Sequence, residues 1–257
     1  MEKALVTNGV PARIATAFLR PGILAFGGSI APSDLHAHHA VQVLTASTPL
    51  TVMDASGTRH RGTQVIVPAD APHRIDAGAD HGAALYLDPE TVAGATADRR
   101  AHDNGWATSS PSPQARPVLA DQVAAVLDGL RCDPATAGGA RHTAVTEALR
   151  VLPGLVTDRS IRGADVARRV GLSPARLSHL FAAQVGIPLR PYILWLRLRV
   201  AIVRVDSGDD LAAAATAAGF DDAAHLTRTC RRTFGLFPAA LSRATGWDLG
   251  DGAWQPS

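Results

Sequence analysis

A chain of 257 residues that is 46% hydrophobic and 19% charged has enough apolar material for a buried core, which excludes a disordered or fibrous protein. The formal net charge is only +2, but residues 1–154 hold 12 basic and 14 acidic side chains, while 155–247 hold 13 arginines against 7 aspartates. No apolar run approaches the roughly 18 residues of a membrane span, and the two cysteines, Cys132 and Cys230, are too far apart for a paired thiolate motif, so the sequence predicts a soluble, cytoplasmic protein without a disulfide framework.

From about Ile23 to Pro89 the pattern is strand-like. ILAFGGSI, HAVQVLTA, LTVMD, TQVIVP and AALYLD are short apolar runs, separated by the turn signals APSD, SGTRHRG and DAGADHG. Such spacing predicts an antiparallel barrel or sandwich. Within it, LHAHHAVQV (35–43) holds three histidines in four residues. On an extended strand His36, His38, Ala40 and Gln42 would share one face, and His39, Val41 and Val43 the other. Segment 91–117, rich in Ala, Asp, Ser and Pro, reads as a connection with little fixed structure. From Val118 the period becomes helical. Val118, Leu119, Val123, Val126, Leu127 and Leu130 form one apolar stripe, suited to a dimer seam or to packing against the barrel. A weaker helix is expected over 140–152, helices from Leu155 to Ala244, and an irregular tail over 248–257.

The helical region contains a duplication. Ala167 and Gly171 precede Ala215 and Gly219 by 48 residues, and Leu177, Phe181 and Gly186 precede Leu226, Cys230 and Gly235 by 49. Each copy reads as helix–turn–helix. The turn glycines Gly171 and Gly219 allow a positive φ, Ser173 followed by Pro174 makes an N-cap with proline at N1, and Asp221 or Asp222 caps the second copy. PLRPYILWLRLRVAIVRVDSG between them predicts one linking helix of about 15 residues. Two units so joined could enter successive major grooves about 34 Å apart. A purely structural helical bundle is the plain alternative.

This region resembles the DNA-binding domain of the AraC/XylS family of bacterial transcription regulators. The resemblance rests on VARRVGLSPARLSHLF, Gly186, Tyr192, Arg197 with Ala201, the AGF of 218–220 and FGLFP at 234–238. Leu226 and Cys230 depart from it, standing where the family usually has phenylalanine. The resemblance implies that Ala175, Arg176, Ser178 and His179 form the exposed face of the first recognition helix. Ala223, Ala224, His225 and Arg228 form that of the second. Arg228 can bridge guanine O6 and N7, the histidines can donate to a base, and the alanines can meet a thymine methyl. Arg231 and Arg232 suit phosphates.

The strand-rich part is similar to the two cupin motifs in weakened form. His36 and His38 match the HxH. Gly62–His73 matches G-x5-P-x-G-x2-H except that Asp70 replaces the second glycine, and Gln42 follows His38 where metal-binding cupins carry a glutamate. His36, His38, Gln42 and His73 are therefore the candidate effector or metal site. A divalent ion such as zinc or nickel, a metal-free polar pocket and purely structural histidines all remain open.

The expected architecture is α+β, with an N-terminal cupin-like antiparallel β-barrel followed by an all-α domain with two helix-turn-helix units. Its parts are a cupin-like effector domain (1–115), a helical dimerisation or linker region (116–154), the AraC-type DNA-binding domain (155–247) and a tail (248–257). The expected function is that of a non-enzymatic transcription regulator, activator or repressor, binding double-stranded DNA as a homodimer, with a small molecule or metal as effector and RNA polymerase as a candidate partner. The alternatives are a metal-dependent cupin enzyme with a helical appendage, and a constitutive DNA-binding protein whose barrel is only structural.

Overall fold

The computed structural model describes residues 14–108, 118–130, 141–157, 161–236, 238 and 246–250. Six strands come first: β1 (Ile14–Arg20), β2 (Ile23–Ile30), β3 (Val41–Asp54), β4 (Arg59–Val67), β5 (His73–Ala77) and β6 (Ala79–Leu87). Helix α1 (Val92–Asn104), the short β7 (Ala107–Thr108) and α2 (Leu119–Leu130) follow. The remaining helices are α3 (Thr143–Leu155), α4 (Gly163–Arg169), α5 (Pro174–Val185), α6 (Leu189–Asp206), α7 (Leu211–Ala217) and α8 (Ala223–Phe234). The two-residue β8 (Trp247–Asp248) comes last. An antiparallel-rich sheet followed by a helical region is the α+β architecture expected.

The strands form one sheet in the order β7-β4-β3-β6-β2-β1-β8, with β5 also paired to β3. All pairs are antiparallel except β1 with β8. Strand β3 organises the sheet. LTVMD and the run HAVQVLTA from Val41 onward are parts of this single 14-residue strand, interrupted by exposed Ser47, Thr48 and Pro49. Its pairing with β4 shifts register between Thr45 and Leu50, where Pro49 lacks the N–H that a regular ladder needs. Beyond the shift β3 changes partner, from β6 (over Val41–Ala46) to β5 (over Thr51–Asp54), so the sheet curves there.

Both faces of the sheet are covered, which is why its strands read as apolar runs rather than strict alternation. Leu24, Phe26, Leu44, Val65 and Tyr86 belong to one buried cluster, shared with α3, α5, α6 and α8. Ala25, Val41, Val43, Ile66 and Leu85 belong to the other, under α1 and α2. Segment 91–108 is thus no loose connection. Thr91 Oγ1 caps α1 by accepting from Gly94 N, and small buried residues (Gly94, Thr96, Ala97, Ala101) let the helix lie close. Alanine packs without making an apolar stripe, so periodicity did not mark it. Residues 109–117 lie outside the described residues, as do Cys132 and 251–257.

The region 116–154 divides by its packing. Leu119, Val123, Val126 and Leu130 of α2 are buried on the sheet, whereas Val145, Ala148, Leu149 and Leu152 of α3 join the helical core. The α2 stripe is therefore occupied within the chain and is not an open dimer seam. The start of the tail is also ordered. β8 runs alongside β1, and Arg20 Nη2 meets Asp248 Oδ1 at 2.7 Å. Among the described residues no helix is long and apolar enough to cross a membrane.

Sheet and helices share a dry seam. Trp195 Nε1, on α6, donates to Asp88 Oδ2 at 2.9 Å, with Trp195 1% and Asp88 8% exposed. Asp88 Oδ1 accepts from Glu90 N at 2.9 Å. Phe234 of α8 packs edge-on to both Trp195 and Tyr86. Trp195→Phe keeps most of the apolar contact but leaves a buried carboxylate oxygen without its donor. It should lower unfolding stability by about 1–3 kcal/mol, read as a shifted urea midpoint with unchanged slope.

Candidate functional sites: paired helix-turn-helix units and a histidine cluster

Local sequence builds both helix-turn-helix units as anticipated. Gly171 and Gly219 adopt φ of +71° and +78° in the turns. Gly219 has a second reason to be glycine, because a Cβ there would meet Val156 O at 2.6 Å. Ser173 Oγ accepts from Arg176 N, with Pro174 in the first turn of α5. At α8 it is Asp222, not Asp221, whose carboxylate accepts from His225 N. The helices bury Leu177 and Phe181 in the first copy and Leu226 and Cys230 in the second. Burial pushes the Cys230 thiol pKa up to about 12, so this side chain is core filling and no nucleophile. The linking helix α6 is longer than anticipated, at 18 residues.

Opposite those buried stripes lie the expected faces. Arg176, Ser178 and His179 of α5 are exposed, as are Ala224, Arg228, Arg231 and Arg232 of α8, with Ala223 and His225 half-buried. His225 is already engaged. Its Nδ1 lies 3.1 Å from Asp221 Oδ2, and its ring stands edge-on to Phe220. A base contact from this ring would have to come through Nε2.

The second site is the histidine cluster. His36, His38 and His73 each offer a ligand nitrogen, all within 4.8 Å of one another. The HxH is not on a strand, as alternation suggested, because β3 begins only at Val41. A loop carries it, pinned by backbone bonds. His36 and His73 exchange N–H···O bonds at 2.8 and 2.9 Å, and Asp70 N donates to His38 O at 2.9 Å. Asp70 is the one non-glycine residue with positive φ (+59°) among the described residues, at the position where the cupin motif has glycine. Aspartate tolerates this left-handed conformation better than most L residues. Its carboxylate pairs with His39 Nδ1 at 2.9 Å, on the exposed side, so His39 stands apart from the cluster as expected.

Hydrogen bonds set the chemistry of the three rings. His36 Nδ1 lies 2.9 Å from Asp34 O, His38 Nδ1 2.8 Å from Ala40 O and His73 Nδ1 2.8 Å from Ala71 O. A carbonyl can only accept, so each Nδ1 carries the proton and each Nε2 presents a lone pair. All three Nε2 atoms are buried without a hydrogen-bond partner. Gln42 Nε2 donates to Tyr86 Oη at 3.0 Å, and its Oε1 is likewise buried and unpartnered. That oxygen is nevertheless close enough to favour the charged form of His38. Converging lone pairs in a dry site fit a cation held by neutral imidazoles, with Nδ1–carbonyl bonds orienting the ligands. His38 and His73 are the two most enclosed rings, at 3% and 0% exposure.

Burial, then the charge of neighbouring rings, lowers the pKa of His38 to about 4 and of His73 to about 3. His36 is lowered by burial against a partly offsetting pull from Asp34. The folded protein thus keeps these rings neutral where an unfolded chain, titrating near 6.5, takes up protons. Stability of chelator-treated protein should be flat above about pH 7 and should fall as pH drops from 6.5 towards 4. Urea midpoints measured across that window check this, with a smaller decline expected for His73→Gln.

A family profile described as "Helix-turn-helix domain" matches residues 166–244. The comparison with curated proteins gives no match. Similar solved structures include a transcriptional regulator with an AraC-type DNA-binding domain from Chromobacterium violaceum, 26% identical over 40% of this chain and 94% of that one, with a TM-score of 0.36. The C-terminal domain of AraT, a response regulator from Geobacillus stearothermophilus, is 16% identical over 44% and 93%, with a TM-score of 0.39. ToxT from Vibrio cholerae is 11% identical over 87% and 98%, with a TM-score of 0.46.

Proposed function

We propose that this chain, whose residues 166–244 match a helix-turn-helix profile, is an AraC-type, sequence-specific DNA-binding transcription regulator that responds to an effector held by its sheet region. The observation that carries the reading is the pair of capped recognition helices, α5 and α8, joined through α6 and each exposing its N-terminal face. In a helix-turn-helix that end of the second helix meets base edges. Arg176 and Arg228 read guanine, Ser178 and His179 donate to base acceptors, and His225 meets a base edge through Nε2. Ala223 packs on a thymine methyl, while Arg231 and Arg232 hold phosphates. Arg228→Ala should weaken binding to a site selected from random duplexes by about 1–3 kcal/mol and relax preference at one base pair. Unchanged affinity and specificity in a gel-shift titration would remove Arg228 from the interface.

The effector site is the histidine cluster, and its proposed occupant is a divalent ion such as zinc or nickel. His36, His38 and His73 hold it through Nε2, with Gln42 Oε1 beside them. The support is the three buried, unpartnered lone pairs. Bound there, the ion supplies a positive charge and an open coordination position for a small anionic or neutral ligand. The complete pair of helix-turn-helix units favours sensing over the metal-dependent enzyme that a cupin-like region otherwise suggests. Protein purified without a His tag should carry near-stoichiometric metal by elemental analysis. Less than about a tenth of an equivalent, with no uptake of added zinc or nickel, argues for a metal-free pocket. The regulator acts in the cytoplasm as a homodimer with RNA polymerase within reach. Its dimer surface lies elsewhere than the α2 stripe, which its own sheet covers.

A further inference from the structure

The histidine cluster and the second recognition helix meet end to end. α8 stops at Gly235, whose φ of +70° turns the chain while its N–H returns to Arg231 O at 2.8 Å. A Cβ on Gly235 would lie 3.1 Å from His38 Cδ2 and 3.2 Å from His36 Cδ2, so bare backbone rests on the edges of two of the three rings. The HxH loop bonds back to the helix. His39 N donates to Arg232 O and Ala40 N to Thr233 O, both at 2.9 Å. These carbonyls belong to the last turn of α8, whose acceptors a helix leaves unsatisfied. Tyr86 extends the contact, edge-on to both His38 and Phe234.

We propose that the histidine site and α8 are one coupled unit, in which a divalent cation bound by His36, His38 and His73 changes the seating of α8 on the 36–40 loop and so its affinity for DNA. This rests on the ion-site reading given above. A tetrahedral ion with metal–nitrogen bonds of about 2.0–2.1 Å holds its ligand nitrogens about 3.4 Å apart. Binding all three Nε2 atoms to one ion would fix the spacing of rings whose ligand nitrogens lie within 4.8 Å of one another, and His36 and His38 cannot shift without sliding their Cδ2 edges on Gly235. The cation also enters beside the carbonyl end of a helix, whose partial negative charge of about half an electron favours it. α8 has 12 residues, a rod about 18 Å long, so movement at Gly235 is delivered to the end that carries Ala223, His225 and Arg228. Coupling is reciprocal: DNA changes cation affinity by the factor by which the cation changes DNA affinity.

Hydrogen–deuterium exchange on the full, chelator-treated chain tests this, with and without one equivalent of zinc chloride and with calorimetry on the same samples. Exchange in α8 and in the 36–40 loop should change by at least about five-fold on zinc addition, the low end of ordinary coupling. His73→Ala leaves every α8 contact in place and should abolish both the heat and the exchange change. Gly235→Ala, which presses a methyl on both rings, should weaken zinc binding. If that variant unfolds, the wild type and His73→Ala still decide the matter. Zinc that binds while α8 exchange stays constant overturns the coupling and leaves the ion site standing. An absence of zinc binding overturns both. An α8 response that persists in His73→Ala places its cause outside the cluster and also overturns the coupling.

Discussion

The indole–carboxylate bond between Trp195 and Asp88 fixes the relation on which the other contacts depend. Asp88 follows β6 and begins the turn into α1, while Trp195 sits on the helix that joins the two helix-turn-helix units. A buried carboxylate tolerates little misplacement of its donor, because each lost hydrogen bond to a charged group is costly in a dry seam. α6 is thereby held on the sheet. Phe234 then packs between Trp195 and Tyr86, which brings the end of α8 to the HxH loop. That packing, together with the backbone bonds from His39 and Ala40 to the last turn of α8, covers one side of the histidine cluster.

Inside that wall, neutral groups converge, as the proposed cation site requires. Three backbone carbonyls fix the tautomers, and burial keeps the rings unprotonated. The nearest side-chain oxygen is an amide rather than a carboxylate. An ion held only by neutral donors keeps its full charge, so its binding is more easily tuned by the surrounding dipoles than in a carboxylate cage. Competition from protons is slight at neutral pH, since the rings resist protonation even without a guest.

Much of this was legible in the sequence, for identifiable reasons. The helix-turn-helix units announce themselves through glycines with positive φ and side-chain caps, which are local requirements that residue identity alone exposes. His36, His38 and His73 do lie together, as the weakened cupin motifs imply, but the strand alternation expected for His36 and His38 fails before Val41. Loop bonds, not pleating, bring those rings together. What was not legible depends on packing at a distance. α1 is built on alanines that carry no apolar stripe, and the α2 stripe could not reveal whether sheet or second copy would cover it. Gly235 could be read as a helix stop, but nothing in its neighbourhood indicated that two histidines 197 and 199 positions earlier would lie on it.

The return of β8 to β1 bears on how the molecule is made. β1 is the earliest strand among the described residues, yet the two-residue β8 that pairs with part of its outer edge comes more than two hundred residues later. On the ribosome that edge has unsatisfied backbone donors and acceptors until the last helix has been translated, a state prone to pairing with a neighbouring chain. Arg20, in the last position of β1, places a charge on the exposed ribbon during that interval and finds its aspartate only when Asp248 arrives. The same side chain thus puts a charge on an open strand edge, the position where charge disfavours edge-to-edge pairing, and clasps β8 in the finished fold.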